Sequence, residues 1–253
     1  MKRFQLSVSC AALVISAGIA SAATNSVYDL YVTPGITPPT PPWTVTIGAP
    51  STQSVSSRVL TINDAAGGFV WNSQSLPGQL SSTATWEARA RMRLLSYSDG
   101  PGRVGMGWDF EDGTRYMAIG ARLGVGNVHE FFIGDSGHAP VAGVYTPAPN
   151  GDDFYNLRVR KVGTSGTAAD TIELYVNDIL AQSVSYTTAG GSIVSTPGVI
   201  FGGIFGGSAA TAEVNGFSFG INEAAPALLP EPSAIALFAI GALLAVRRLS
   251  VRR

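Results

Sequence analysis

Thr85-Trp86-Glu87-Ala88-Arg89-Ala90-Arg91-Met92-Arg93-Leu94 decides how this chain is read. Trp86, Ala88, Ala90, Met92 and Leu94 fall on one side of a two-residue period, and Glu87, Arg89, Arg91 and Arg93 fall on the other. A helix would scatter the arginines around its axis, whereas a strand lines them along one face. Val104, Met106, Trp108 and Phe110 repeat the pattern with Gly105, Gly107 and Asp109 opposite, and Glu111-Asp112-Gly113-Thr114 reads as a hairpin turn into Arg115 to Ala121. Tyr155, Leu157 and Val159 alternate with Asn156, Arg158 and Arg160; after a Gly/Ser/Thr-rich connection, Ile172, Leu174 and Val176 alternate with Glu173, Tyr175 and Asn177. Asn177-Asp178 then turns the chain into Ile179 to Tyr186. Further strands are expected near Thr44 to Ile47, Val59 to Asp64, Gly68 to Trp71, Val128 to Ile133, Gly198 to Phe205 and Ala212 to Ile221. No intervening stretch carries the 3.6-residue period of a crossover helix, so parallel pairing is disfavoured. The expected body is an all-β, antiparallel two-sheet sandwich of the jelly-roll kind, occupying residues 23–222 as one domain.

Composition agrees. In 253 residues, 45% are hydrophobic and 13% charged, with 30 glycines and 15 prolines; this is too apolar for disorder and too poor in charge for a helical bundle. Between positions 23 and 222 stand ten basic and fifteen acidic residues, a net charge of −5, which disfavours nucleic acid or anionic lipid as partner. Cys10 is the only cysteine and lies within the first 22 residues, so thiol catalysis, disulfides and cysteine-bound metal are excluded for the remainder.

Both ends read as addresses. Lys2 and Arg3, an apolar run from Ala11 to Ile19, and Ala20-Ser21-Ala22 form a secretory signal with a signal-peptidase site after Ala22. At the other end, a loop at 223–229 leads to Pro230-Glu231-Pro232, fourteen uncharged residues from Ser233 to Val246, and a basic cluster of Arg247, Arg248, Arg252 and Arg253. As a helix at ~1.5 Å per residue the uncharged run reaches about 21 Å, short of a ~30 Å hydrocarbon core. The arginines would hold the cytoplasmic side of this marginal anchor and leave the body outside.

The order Pro-Glu-Pro, short apolar helix, basic cluster over residues 230–253 resembles the sorting signal of PEP-CTERM proteins. That resemblance implies processing by an exosortase-type enzyme in a Gram-negative bacterium that makes extracellular polysaccharide. The chain would be held transiently in the inner membrane through its C-terminal transmembrane helix and then delivered to the cell surface or extracellular matrix. An ordinary tail-anchored periplasmic protein is the alternative reading. Within the body, Phe154 to Lys161, Ile172 to Leu180 and Gly216-Phe217-Ser218-Phe219-Gly220 resemble the concanavalin A-like and laminin-G-like jelly rolls, with Asp178-Ile179 where that family has Asp-Gly.

Candidate chemistry is sparse. Gly134-Asp135-Ser136-Gly137 matches the core of a serine-protease nucleophile motif, but His129 and His138 are the only histidines and both lie beside it in sequence; the segment is read as a turn. Asp109 and Glu111 have the i, i+2 spacing of a glycosidase carboxylate pair, yet Asp112-Gly113 follows at once and makes them look like the solvated end of a hairpin. The jelly-roll resemblance allows Ca²⁺ held by turn aspartates, with Asp152 and Asp153 the densest candidates beside Asp99, Asp109, Asp112 and Asp135. Calcium asks for about six to eight oxygen ligands, so a solvated acidic loop is the plainer reading. His129 and His138 are read as loop residues and not as zinc ligands. Trp43, Trp71, Trp86 and Trp108 can stack on sugar rings, although Trp86 and Trp108 fall on the apolar side of their strands. The reading is a secreted, non-enzymatic surface or matrix protein with a structural, adhesive or polysaccharide-binding role and no required cofactor; a glycoside hydrolase on the same fold is the alternative.

Overall fold

The computed structural model describes residues 24–28, 43–66, 68–98, 106–149, 154–192, 195–203 and 209–228. The expected signal sequence with Ala20 and Ala22, the Pro-rich 33–42, Asp99, Asp152, Asp153 and the whole sorting segment 230–253 lie outside them. The strands are β1 Thr24–Tyr28, β2 Thr44–Gly48, β3 Thr52–Ser56, β4 Val59–Asp64, β5 Phe69–Ser75, β6 Trp86–Tyr97, β7 Met106–Glu111, β8 Arg115–Leu123, β9 His129–Gly134, β10 Tyr155–Val162, β11 Thr171–Val176, β12 Ile179–Ser185, β13 Gly191–Ser192, β14 Gly198–Gly203 and β15 Ala210–Ile221. Among the described residues the only helical element is a 3₁₀ turn at Val125–Asn127, and no helix is long and apolar enough to cross a membrane.

Two antiparallel sheets form a β-sandwich. The first runs β12-β11-β10-β6-β15-β4-β3, with β1 pairing the second half of β15; the second runs β13-β8-β7-β14-β5-β2, with β9 pairing β8. The period-two pattern of β6 emerges as read: Trp86, Ala88, Ala90, Met92 and Leu94 are buried between the sheets, and Arg89, Arg91 and Arg93 stand on the outer face. Trp86 stacks across the interface on Phe110 of β7, ring centroids 4.1 Å apart. Trp43 is core, set edge-on against Phe201, Phe217 and Phe219, and so is withdrawn from any sugar.

Local rules explain the corners. Asn177 and Asp178 both take positive φ, 50° and 64°, as do Ser57 and Arg58, which gives the two-residue turn whose twist matches its flanking strands. Asn177-Asp178 therefore makes the tight hairpin without a glycine. In β15 the register slips between Val214 and Phe217, and Gly216 takes φ 107°. Ala212 and Val214 face inward before this bulge, and Phe217, Phe219 and Ile221 face inward after it.

Polar side chains tie the sheets together at their margins. The Leu94 amide donates to His129 Nε2 at 3.1 Å, the Ile133 amide donates to Gln182 Oε1 at 2.8 Å, and Asn72 and Gln53 exchange amide hydrogen bonds of 2.9 and 3.0 Å. His129 is thus a buried strand residue, not a loop residue as expected from the sequence. Near the end of β10, Lys161 Nζ is sealed with Asp170 Oδ2 at 2.8 Å and donates to the Gly163 carbonyl at 2.8 Å. Asp170 also accepts from the Ser165 amide and hydroxyl and from the Gly166 amide, which fixes the Gly163–Asp170 connection.

Candidate functional site

The outer face of the second sheet follows from its register. One row across it reads Trp71, Gly202, Gly107, Gly120, Phe132; the next reads Ser73, Ile200, Asp109, Ala118, Gly134; a third reads Ser75, Gly198, Glu111, Tyr116, Gly191. Outward positions on a half-solvated sheet ordinarily carry polar side chains. Here glycine and alanine recur instead, and Gly107, Gly120, Gly202, Ala118 and Phe132 are themselves buried, so the middle of this face is closed off from solvent. At Gly120 a Cβ would run into the Phe132 ring, so the absence of a side chain lets that ring lie across the sheet. Trp71 is 37% exposed and packs against Phe69, centroids 4.6 Å apart, at the far side of the same face.

Asp109 sits at the centre. It lies in mid-strand at 6% exposure and not at a solvated hairpin end, which corrects the sequence reading. His138 closes over it from the loop after β9: Nε2 is 3.9 Å from Asp109 Oδ2, too long for a hydrogen bond but close enough for attraction when the imidazole is protonated. Asp109 Oδ1 is buried and has no hydrogen-bond partner among the described residues. Burial pushes this carboxyl's pKa up, and His138 only partly offsets the push. Glu111, half-buried two residues on, is also pushed up by burial, with Ser195 acting downward and Asp109 upward.

The loop owes its position to Gly134-Asp135-Ser136-Gly137. Asp135 Oδ1 accepts from the amides of Gly137 at 2.7 Å and Ala139 at 3.0 Å, a side-chain-closed turn of the ordinary kind. Tyr116 donates its hydroxyl to the Ser136 carbonyl at 2.6 Å, and its ring stacks on His138 at 5.4 Å. Ser136 serves through its backbone, so the protease motif is a structural turn. A Cβ on Gly134 would press on the His138 backbone at 3.2 Å, so glycine there is what lets the loop fold back.

The structure therefore brings together Asp109, Glu111 and His138 from the sequence reading and adds Tyr116 and the glycine rows. It places Trp71 on the same face, separates His129 from it, and buries Trp43, Trp86 and Trp108. The available signal for the rows was the run of glycines at outward positions of successive strands. Among the described residues no three His, Cys, Asp or Glu side chains are grouped to hold a metal ion. The face therefore carries a buried carboxyl whose pKa burial raises, an imidazole 3.9 Å from it, and the exposed indole of Trp71.

No family model and no curated protein matches the chain. Among solved structures it is similar to a carbohydrate esterase from Shiga toxin-encoding bacteriophage phi24B, at 10% identity over 80% of this chain and 100% of that one, with a TM-score of 0.48. It is similar to the transglycosylase Crh5 at 13% identity over 82% and 87%, TM-score 0.47, and to a protein of unknown function from Shewanella oneidensis at 12% identity over 83% and 92%, TM-score 0.46. At these identities and scores no activity follows from the resemblance.

Proposed function

We propose that the chain is an exported jelly-roll protein that binds polysaccharide through the outer face of its second sheet. The observation that carries this is Asp109: a buried carboxyl with one oxygen lacking a partner among the described residues, on the face that also carries the exposed Trp71. The indole would cover the apolar face of a sugar ring, and displacement of the His138 loop would let a sugar hydroxyl supply the donor that Asp109 lacks. Three acidic side chains, Asp109, Glu111 and Glu130, share the face with Arg122, whose Nε is held by Glu130 at 2.6 Å, so neutral sugars fit it better than acidic ones. Trp71→Ala is expected to fold normally and to lose retardation in affinity electrophoresis through neutral polysaccharides by at least tenfold in affinity. Retardation equal to the wild type's would sink this reading.

Export and sorting rest on the two terminal patterns in the sequence. Signal peptidase would act after Ala22, and an exosortase-type enzyme at Pro230-Glu231-Pro232, with Arg247, Arg248, Arg252 and Arg253 holding the membrane end. Intact mass of the mature protein from surface and medium fractions tests this. An end near 230–232 supports sorting, and an intact Arg253 in the membrane fraction means a plain tail anchor.

A hydrolase reading draws on one feature, the raised proton affinity of Asp109 two residues from Glu111, which is the pairing of an acid with a second carboxylate. With Asp109 sealed beneath His138, no carboxylate pair is presented to a substrate, so binding led by Trp71 is preferred. Release of reducing ends from a polysaccharide that the protein retains would reverse that preference.

A further inference from the structure

The outer face of the first sheet is built of different chemistry. Arg89, Arg91 and Arg93 of β6 and Arg158 and Arg160 of β10 all stand on it, so half of the ten basic residues between positions 23 and 222 share one face. Glu87, Glu173 and Glu213 are the acids among them, leaving a local excess of two positive charges in a body whose net charge is −5. The pairs are specific: Arg89 Nε donates to Glu87 at 2.8 Å, Arg93 Nε to Glu213 at 2.8 Å and Arg160 Nε to Glu173 at 2.6 Å.

Arg158 stands outside this scheme. It lies directly across the strand pair from Arg89, a like-charge placement that costs stability in a sheet. Its guanidinium packs over the Tyr175 ring at 4.0 Å, and its buried Nε has no hydrogen-bond partner among the described residues. Tyr175 cannot swing away, because its hydroxyl donates to Glu173 at 2.7 Å and accepts from Arg160 at 2.8 Å. Arg158 is therefore held flat and half-buried over the ring, within reach of the Glu173 charge, with its Nε unpaired among the described residues. Beside it, Arg91 and Arg93 lie over the Phe154 ring at 4.5 and 4.6 Å.

We propose that this face binds a linear polycarboxylate, a polysaccharide chain of the uronic-acid type, with Arg158 and Arg89 as its anchors. An external carboxylate between them would accept from the guanidinium fork and remove the like-charge penalty in one step. The aromatic rings on the face are already covered by guanidinium groups, so it offers no platform for stacking bases, and a single-stranded nucleic acid is disfavoured. The proposal concerns a different sheet from the neutral-sugar face around Asp109 and does not depend on it.

The test uses the full chain and its Arg158→Gln, Arg89→Gln/Arg158→Gln and Asp109→Asn variants. Binding to polygalacturonate, dextran, polyphosphate and phosphatidylglycerol vesicles is measured across a salt series, with thermal melting as the control for folding. The expected result is salt-sensitive binding of polygalacturonate, weakened at least tenfold in the double variant and unchanged in Asp109→Asn. Arg158→Gln should melt at or above the wild-type temperature, since a purely structural arginine would lower it. No polygalacturonate binding, undiminished binding by the double variant, loss of binding in Asp109→Asn, or stronger binding to polyphosphate or to the vesicles would each overturn the proposal.

Discussion

Asp170, at one end of the first sheet, and Asp109, in the middle of the second, are both buried, at 2% and 6% exposure, yet they hold their protons in opposite ways. Burial alone would raise both. At Asp170 it is outweighed by hydrogen bonds from Lys161, Ser165 and Gly166, and the pKa falls below the usual carboxylate range. At Asp109 nothing comparable opposes it, and the pKa rises. A carboxylate whose acceptor positions are filled from within is a joint of the fold. One that keeps a buried oxygen without a partner among the described residues is open to a donor from outside the fold.

The comparison can be broken at its strong end first. Lys161→Met leaves Asp170 buried without its cation and is expected to cost about 3–5 kcal/mol in denaturant unfolding, whereas Lys161→Met/Asp170→Leu should recover most of that. A small effect from the single substitution would mean that the pair is not a joint.

The second break is in pH. A carboxyl whose folded value is raised binds protons more tightly folded than unfolded, so stability falls as pH climbs from the unfolded value of ~3.9 through the folded one. Asp109 contributes such a fall, and so does Asp64, which burial raises to about 6 although the Ser51 hydroxyl's hydrogen bond acts downward. Asp170 works oppositely: its contribution is complete above ~3.9 and is lost as pH drops toward its lower folded value. Melting temperature should therefore peak in the mildly acidic range, and Asp109→Asn should flatten the limb above the peak while leaving the acid limb intact.

The smallest effect sharpens the site itself. Tyr116→Phe removes the hydrogen bond to the Ser136 carbonyl and should cost about 0.5–1.5 kcal/mol, with faster amide exchange confined to residues 135–139. Exchange that also rises across β8 would show that Tyr116 braces the sheet and not the loop.

Much of the fold was legible because period two is a local signal. β6, the β7–β8 hairpin and the β10–β11–β12 series carry it openly. β3, with Val55 its only apolar residue in Thr52–Ser56, does not, and it joins the sheet through its turn and through pairing with β4. The phase change at Gly216 hid which side of β15 is buried, since a one-residue slip exchanges the faces. The site was less legible for a different reason. Asp109 looked solvated because of its neighbours Asp112 and Gly113, but its burial comes from His138, which is delivered by a loop whose return depends on Gly134. The face-wide glycine rows exist only once the strands are in register.

The most direct measurement sets wild-type protein beside Asp109→Asn, in denaturant unfolding at pH 7.5 and in affinity electrophoresis through neutral polysaccharide. Equal or greater stability together with at least a tenfold loss of affinity is the predicted result. A variant that unfolds at markedly lower denaturant, or one retarded as strongly as the wild type, would contradict the assignment of Asp109 to a ligand and return it to the fold.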